Sequence, residues 1–437
     1  MTVAVKVIGA GLAGCEAAWQ LARKGIKTEL YEMKPGKMTP AHISTDFAEL
    51  VCSNSLRSSD ISNAVGLLKE EMRLLGSLTI EAADSTKVPA GSALAVDREK
   101  FSAFITEKIK NHPKIEIKSQ EITDIPDGFV IIATGPLTSD KLSESISQLL
   151  PETKILSFFD AAAPIVAYDS INMEMTYLGS RYDKGEADYI NCPLEQDEYM
   201  DFYTQLISAE TVELREFENK KIFEGCMPIE VMAKRGEDTM RFGPLKPVGL
   251  RNPKTGKTPY AVVQLRCDNI EGTLYNLVGF QTNLKFSEQK RVFGIIPALK
   301  NAQFMRYGVM HKNTYIDSPR LLDRYNRLKI DPRIRFAGQI TGVEGYVESA
   351  SSGLLTGLET ANELTGLPPL NFPKATAIGA LALYISESSI SGFQPMNINF
   401  GLIAPLDFVI KGKKNKNSAI AERSLTCVKA LNERTTV

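Results

Sequence analysis

The sequence predicts an α/β fold, a Rossmann-like dinucleotide-binding domain interrupted by an inserted α+β domain. Three observations predict it. A glycine turn, G-x-G-x-x-G at Gly9, Gly11 and Gly14, separates a short apolar run from a helical pattern. A second apolar run, Phe129 to Ile132, ends on Ala133-Thr134-Gly135. From about Leu156 the texture changes to short strand-like runs between polar loops. The expected divisions are residues 1–155 and 326–437 for the dinucleotide-binding domain with its C-terminal tail, and 156–325 for the insert.

Val3 to Ile8 reads as a buried parallel strand. Gly9 allows the tight turn, Gly11 lets the backbone approach a pyrophosphate, and Gly14 lets the following helix pack closely on the strand. Ala10, Leu12 and Ala13 belong to the same cradle, since free N–H groups at a helix N-terminus face the phosphates. The helix is expected over Cys15 to Lys24, with Ala17, Ala18, Leu21 and Ala22 as its apolar positions, and Gly25 closes it. A second strand, Lys27 to Tyr31, ends on Glu32, at the spacing where a carboxylate accepts a ribose hydroxyl. Together these point to an ADP-containing dinucleotide; an ordinary glycine-rich βα turn would explain the glycines alone.

Residues 36–60 read as a long loop over the cofactor, carrying F-A-E-L-V-C-S-N-S-L-R-S from Phe47 to Ser58. Helices are expected over Ala64 to Ser77 and Phe101 to Ile109, and a strand over Ile115 to Ile122. The A-T-G at Ala133, Thr134 and Gly135 resembles the segment that closes the FAD half of two-dinucleotide-binding flavoproteins. Paired with the N-terminal turn, it favours FAD over NAD as the tightly held cofactor. Within the insert, Ala163 to Tyr168, Glu213 to Glu218 and Tyr260 to Leu265 read as strands. Phe336 to Ala361 then returns to the first domain. Its glycines, among them Gly338, Gly342 and Gly345, join a tight loop to a helix whose N-terminus would aim at the flavin or the pyrophosphate.

The formal net charge is −1, so any nucleic-acid contact must use a local patch. Six cysteines are scattered without a C-x-x-C pair or metal-ligand spacing, which predicts free thiols in a reducing cytoplasm and no metal centre. The sequence shows no secretory signal and no apolar run that would span a bilayer. It carries no signal for an oligomeric state. The run Lys411, Lys413, Lys414 and Lys416 is either a solvated face or a phosphate-contact patch for RNA.

Several longer stretches narrow the reading: V-I-G-A-G-L-A-G-C-E-A-A, F-A-E-L-V-C-S-N-S-L-R, G-L-L-K-E-E-M-R-L-L-G-S, A-L-A-V-D-R, A-T-G-P-L-T-S-D, F-E-G-C-M-P-I-E-V-M-A, R-F-G-P-L-K-P-V-G-L and G-Q-I-T-G-V-E-G-Y-V-E-S-A. Through them, over essentially the whole chain, the sequence resembles the folate- and FAD-dependent tRNA (uracil-5-)-methyltransferases, a branch of the flavoprotein group that includes the glucose-inhibited division proteins. The stretch Thr39 to Asp46 is less distinctive and receives no role.

The resemblance implies methylation of C5 of the T-loop uridine of tRNA. The carbon would come from 5,10-methylenetetrahydrofolate and the electrons from NADPH or NADH through FAD. C5 of uracil is a poor nucleophile, and a thiolate adding to C6 activates it. Cys226, in F-E-G-C-M-P, is assigned that role, and Cys52, in L-V-C-S-N-S, is assigned to the flavin. Cys15 has a packing explanation on the first helix. Glu344, Tyr346 and Glu348 would orient flavin or folate, or simply cap a helix. Arg241, Lys246 and Arg251, near Phe242, would offer phosphate contacts and a stacking ring to RNA, or form a solvated loop around a core aromatic. The competing functions are the same chemistry on ribosomal RNA, a small-molecule flavin oxidoreductase, and a non-catalytic RNA-binding flavoprotein.

Overall fold

The computed structural model describes residues 4–39, 41–150, 156–183, 186–212, 227–387, 389 and 393–433. Its first sheet has six strands in the order Arg327–Leu328, Asp331–Phe336, Phe129–Ile132, Val5–Ile8, Thr28–Glu32, Ile115–Ser119. All neighbours run parallel except the first pair. Val5–Ile8 lies in the middle, and Val5 and Val7 are fully buried on either side of the half-buried Lys6. The next strand in the chain, Thr28–Glu32, pairs on one side of it and Phe129–Ile132 on the other. Chain order therefore reverses at this strand, and a crevice opens beyond the carboxyl ends of Ile8 and Ile132, where α/β sheets bind ligands.

The first helix spans Leu12–Arg23, beginning three residues before the expected Cys15 because Gly11 is already its N-cap. Gly14 thus lies inside the helix. A Cβ there would sit 1.8 Å from the carbonyl oxygen of Gly9. Against this helix packs Tyr346–Thr365, the long helix near the end of the first domain. The two backbones approach so closely that a Cβ on Gly353 would lie 2.1 Å from the Ala13 oxygen.

The second large sheet is antiparallel, in the order Tyr177–Leu178, Tyr189–Leu194, Ala261–Cys267, Leu274–Leu277, Ile165–Ala167, Phe304–Arg306. Val166, Cys192 and Leu265 share a buried cluster with Phe202 of the helix Gln196–Ser208 and Phe293 of the helix Phe286–Phe293. The runs at Ala163 and Tyr260 thus appear as Ile165–Ala167 and Ala261–Cys267; Glu213 to Glu218 lies outside the described residues. Leu156–Ala161 and Met310–Tyr315 form a separate antiparallel pair.

Three expectations need correction. The helix beginning at Ala64 ends at Leu74, not Ser77; Gly76 turns the chain at positive φ, and Ser77 caps a new helix, Leu78–Ser85, by accepting the Ile80 N–H. The loop of residues 36–60 contains a strand, Ser55–Ser58, that pairs with Ala93–Val96. The strand from Ile115 stops at Ser119, where pairing with Glu32 ends. Beyond Thr365, the helices Ala377–Tyr384 and Lys413–Glu433 return to the helix Ala64–Leu74. Its buried Glu71 accepts the N–H groups of Ala377 and Ile378 at 2.7 and 2.9 Å and the Ser424 hydroxyl. Among the described residues no helix is long and apolar enough to cross a membrane.

Candidate functional site

The crevice over the first sheet is a cavity of about 470 Å³. Its floor is the glycine turn, from Gly9 to Ala13, with Thr134 and Gly135 beside it. No side chain caps the helix that starts at Leu12, so the amides of its first turn are left for a ligand. A Cβ on Gly11 would meet no atom within 4 Å, so the space above this turn is open to a ligand. Gly14 does not line the cavity; it acts through the packing described above.

Glu32, at the end of its strand, reaches back to the turn. One carboxylate oxygen accepts the Ala10 N–H at 2.9 Å and the other the Lys34 N–H at 3.0 Å. Each oxygen retains a further lone pair, so the carboxylate is fixed in orientation yet can accept a ribose hydroxyl. A second uncapped helix N-terminus, at Gly345 and Tyr346, opens into the same cavity from the opposite end of the site's sequence. Two positive helix ends, an open backbone turn and an oriented carboxylate fit a dinucleotide whose ADP half lies on the first helix.

Gly338 and Glu344 also line the cavity, and Gln339 donates to Glu344 at 2.9 Å. Gly342 is not a lining residue; the Phe393 ring packs against it. Glu348 is buried and turned away, pairing with Arg57 and accepting the Ile398 N–H at 3.0 Å. Arg57 lines the cavity with a left-handed backbone, φ 61°, a conformation that costs energy for a side-chain-bearing residue. Lys69 holds it in place by donating to the carbonyls of Leu56 and Ser58, each at 2.7 Å, and burial pushes the Lys69 amine down to about 7.

Cys52 sits on the cavity wall, half-buried. Its loop crosses the glycine turn, where the Ala48 N–H donates to the Ala10 carbonyl at 2.9 Å. The Tyr346 hydroxyl accepts the N–H of Cys52 at 2.7 Å and that of Ser53 at 3.2 Å. Burial holds the Tyr346 phenol well above its usual pKa, so it stays protonated. The antiparallel sheet grips the same loop: Arg266 donates to Ser53 at 2.7 Å and to Asn54 at 2.9 Å, and Asn54 donates to the Cys267 carbonyl at 2.9 Å. Arg98 donates to the Leu50 carbonyl at 2.6 Å, and Arg306 donates to the Ala41 carbonyl at 3.1 Å. Cys15 is buried and donates to the Ala10 carbonyl at 3.3 Å, and burial raises its pKa well above the usual thiol value. Cys226 lies outside the described residues. Among the described residues no cluster of three or more His, Cys, Asp or Glu is placed to hold a metal ion.

The family model of Glucose inhibited division protein A matches residues 4–368. Over 433 residues the chain is 59% identical to the methylenetetrahydrofolate--tRNA-(uracil-5-)-methyltransferase TrmFO of Listeria innocua, covering 99% of this chain and 100% of the relative. It is 58% identical over 426 residues to the enzyme of the same name from Acetivibrio thermocellus, covering 97% and 98%. The chain belongs to this methyltransferase family. The fold is also that of Aquifex aeolicus GidA in its form I crystal, with a TM-score of 0.72 at 15% identity, over 99% of this chain and 76% of that one.

Family membership leaves the RNA-facing residues to geometry. Arg241 is engaged within the protein: its guanidinium stacks on the Tyr260 ring at 3.6 Å and donates to the Tyr260 carbonyl at 3.1 Å. Phe242 is not a core aromatic; it is 80% exposed. Lys246 is half-buried, and Arg251 is exposed with its Nε on the Gly256 carbonyl at 2.6 Å. Lys411 precedes the last helix and Lys413, Lys414 and Lys416 lie in its first turn, and all four are exposed. Sequence reasoning missed Arg57, Arg266, Asn276 and Asn313, all of which line the cavity. It also gave no role to Thr39 and His42, which line it too and share a 2.6 Å hydrogen bond.

Proposed function

We propose that this protein methylates C5 of the T-loop uridine of tRNA in the cytoplasm, with carbon from 5,10-methylenetetrahydrofolate and electrons from NADPH or NADH. The observation that carries the reading is the position of Cys52, whose backbone is held on the wall of the cavity that the glycine turn and Glu32 also line, in a chain of this family. Gly9 to Ala13, Glu32, Thr134 and Gly135 would hold the ADP half of FAD, and Gly338, Glu344, Gly345 and Tyr346 would bound its ring end. Bound there, FAD would supply the transfer of the one-carbon unit and the reducing electrons.

The protein's own contribution is placement. Tyr346 and Arg266 hold the Cys52 loop from two sides, so the thiol has little freedom to move away from the ring end. Cys226 would add to C6 of the uracil, forming the S–C6 bond and making C5 nucleophilic. The target uridine would leave its stack to reach the cavity. Residues 156–325, which carry the antiparallel sheet, would form the substrate-side domain over the dinucleotide. Phe242 would stack on RNA, and the exposed lysines from Lys411 to Lys416 would meet phosphates.

The test is incubation with unmodified tRNA, labelled methylenetetrahydrofolate and NADPH or NADH, followed by nucleoside analysis, with ribosomal RNA in parallel. Labelled 5-methyluridine in tRNA is the expected product. Its absence from tRNA would overturn the reading, and its appearance only in ribosomal RNA would change the substrate.

A further inference from the structure

Two amide side chains on the cavity wall have hydrogen-bonding atoms with nothing to bond. Asn313 is 0% exposed, and neither its amide nitrogen nor its oxygen has a partner among the described residues. Asn276 is 2% exposed, and its amide nitrogen likewise has none. Both line the cavity. Leaving a buried polar group unpaired costs about 1–3 kcal/mol, so such groups are nearly always satisfied in native proteins. Because both side chains line the cavity, a ligand bound there would supply the missing partners.

The unpaired atoms specify its chemistry. They comprise two amide donors and one acceptor. The matching edge presents two acceptors with a donor between them, C=O, N–H, C=O. We propose that Asn313 and Asn276 form a subsite that reads this imide edge of a uracil-type ring. Two rings in the proposed reaction carry it: the target uracil and the pyrimidine ring of the flavin. A reduced pterin fits less well, because an amino donor replaces one of its carbonyls.

The positions suit such a ring. Asn276 pairs across the antiparallel sheet with Arg266, whose guanidinium holds Ser53, next to the Cys52 thiol. Asn313 lies in Met310–Tyr315, a strand that packs on the Gly135–Leu137 turn beside the dinucleotide cradle. The two amides therefore approach the cavity from the thiol side and from the dinucleotide side. This inference rests on the proposed uridine methylation.

The test uses the flavin-loaded full chain with Asn313→Asp and Asn276→Asp, which keep the shape and remove the amide donor, and Asn313→Ser and Asn276→Ser in case the buried carboxylates prevent folding. Two quantities are read for each: FAD content with its visible spectrum, and the ratio of affinities for a T-arm minihelix carrying U or C at the target position. If the uridine is the ligand, U-over-C preference falls about ten- to a hundredfold while FAD content and spectrum stay as in wild type. If the flavin is the ligand, FAD is lost or its spectrum shifts while the preference holds. Natively folded variants that change neither readout would overturn the subsite. A wild-type protein that binds neither FAD nor the minihelix would instead refute the proposed function itself, without reference to any variant.

Discussion

The hydroxyl of Tyr346 accepts the backbone N–H of Cys52 at 2.7 Å, across most of the length of the chain. The tyrosine stands at the N-terminus of the helix that backs the dinucleotide turn, so one contact links the thiol to the cofactor scaffold. Tyr346→Phe removes the acceptor from two N–H groups. We expect FAD to remain bound and methyl transfer to fall at least tenfold, because the thiol loses its fixed position. Stopped-flow and steady-state assays on flavin-replete protein check this; full activity would show that the loop is held by its arginine contacts alone.

The glycine turn gives a paired prediction. Gly11→Ala places a methyl where the protein has no atom within 4 Å, so the fold should survive while the protein loses its flavin colour. Gly14→Ala drives a methyl into the Gly9 carbonyl and should lower the unfolding temperature markedly. Thermal unfolding and flavin absorbance, measured together, separate the two. Equal loss of fold in both variants would deny the open space above Gly11.

The thiols are separable by covalent trapping. Cys226→Ala should keep FAD bound and reducible but form no covalent complex with 5-fluorouridine-containing RNA, since that trap requires attack at C6. Cys52→Ala should form the complex, show an altered flavin spectrum, and fail to transfer the methyl group. The opposite pattern on denaturing gels would exchange the two roles.

RNA binding should follow exposure. Replacing Lys411, Lys413, Lys414 and Lys416 by glutamine should lower the salt dependence of tRNA binding by roughly 0.7 to 0.9 in slope per lost phosphate contact. Phe242→Ala should weaken binding by about 1–3 kcal/mol if the ring stacks on a base. Arg241→Ala should instead destabilise the protein, since its guanidinium covers Tyr260. Titrations at several salt concentrations decide among these.

Glu71 makes stability depend on pH. Burial raises its carboxyl from 4.5 to about 7. The folded state therefore holds a proton that the unfolded state has released, and the group's contribution is full below about pH 4.5 and lost as pH rises through about 7. Glu71→Gln should flatten part of the fall in unfolding temperature across that window. Glu359, also raised to about 7 by burial, should leave a residual fall in the same direction. A variant with the wild-type pH profile would show that Glu71 does not titrate there.

The parts of the site that were legible in the sequence are those encoded by short spacing. Gly9, Gly11, Gly14 and Glu32 lie within one strand-turn-helix-strand unit, where chain geometry alone places the carboxylate against the turn. Arg266 and Asn276 reach the same cavity from the antiparallel sheet and Asn313 from the separate strand pair, and no periodicity or spacing announces a contact made across two hundred residues. Phe242 shows a related limit: an aromatic beside Arg241 reads equally as core or as platform until the Tyr260 stack uses up the arginine and leaves the ring outside. The break between Leu74 and Leu78 was hidden because both flanking segments are apolar, and only the positive φ of Gly76 divides them.

The contact between Gly353 and Ala13 also bears on the order of biosynthesis. The turn that cradles the dinucleotide leaves the ribosome more than three hundred residues before the helix that supports it from behind. The strand Asp331–Phe336, which completes the parallel run beside Phe129–Ile132, arrives equally late. A nascent chain halted within the insert would present the glycine motif without its backing. A truncated product should therefore emerge colourless however intact its fingerprint, and flavin absorbance of such a fragment checks this.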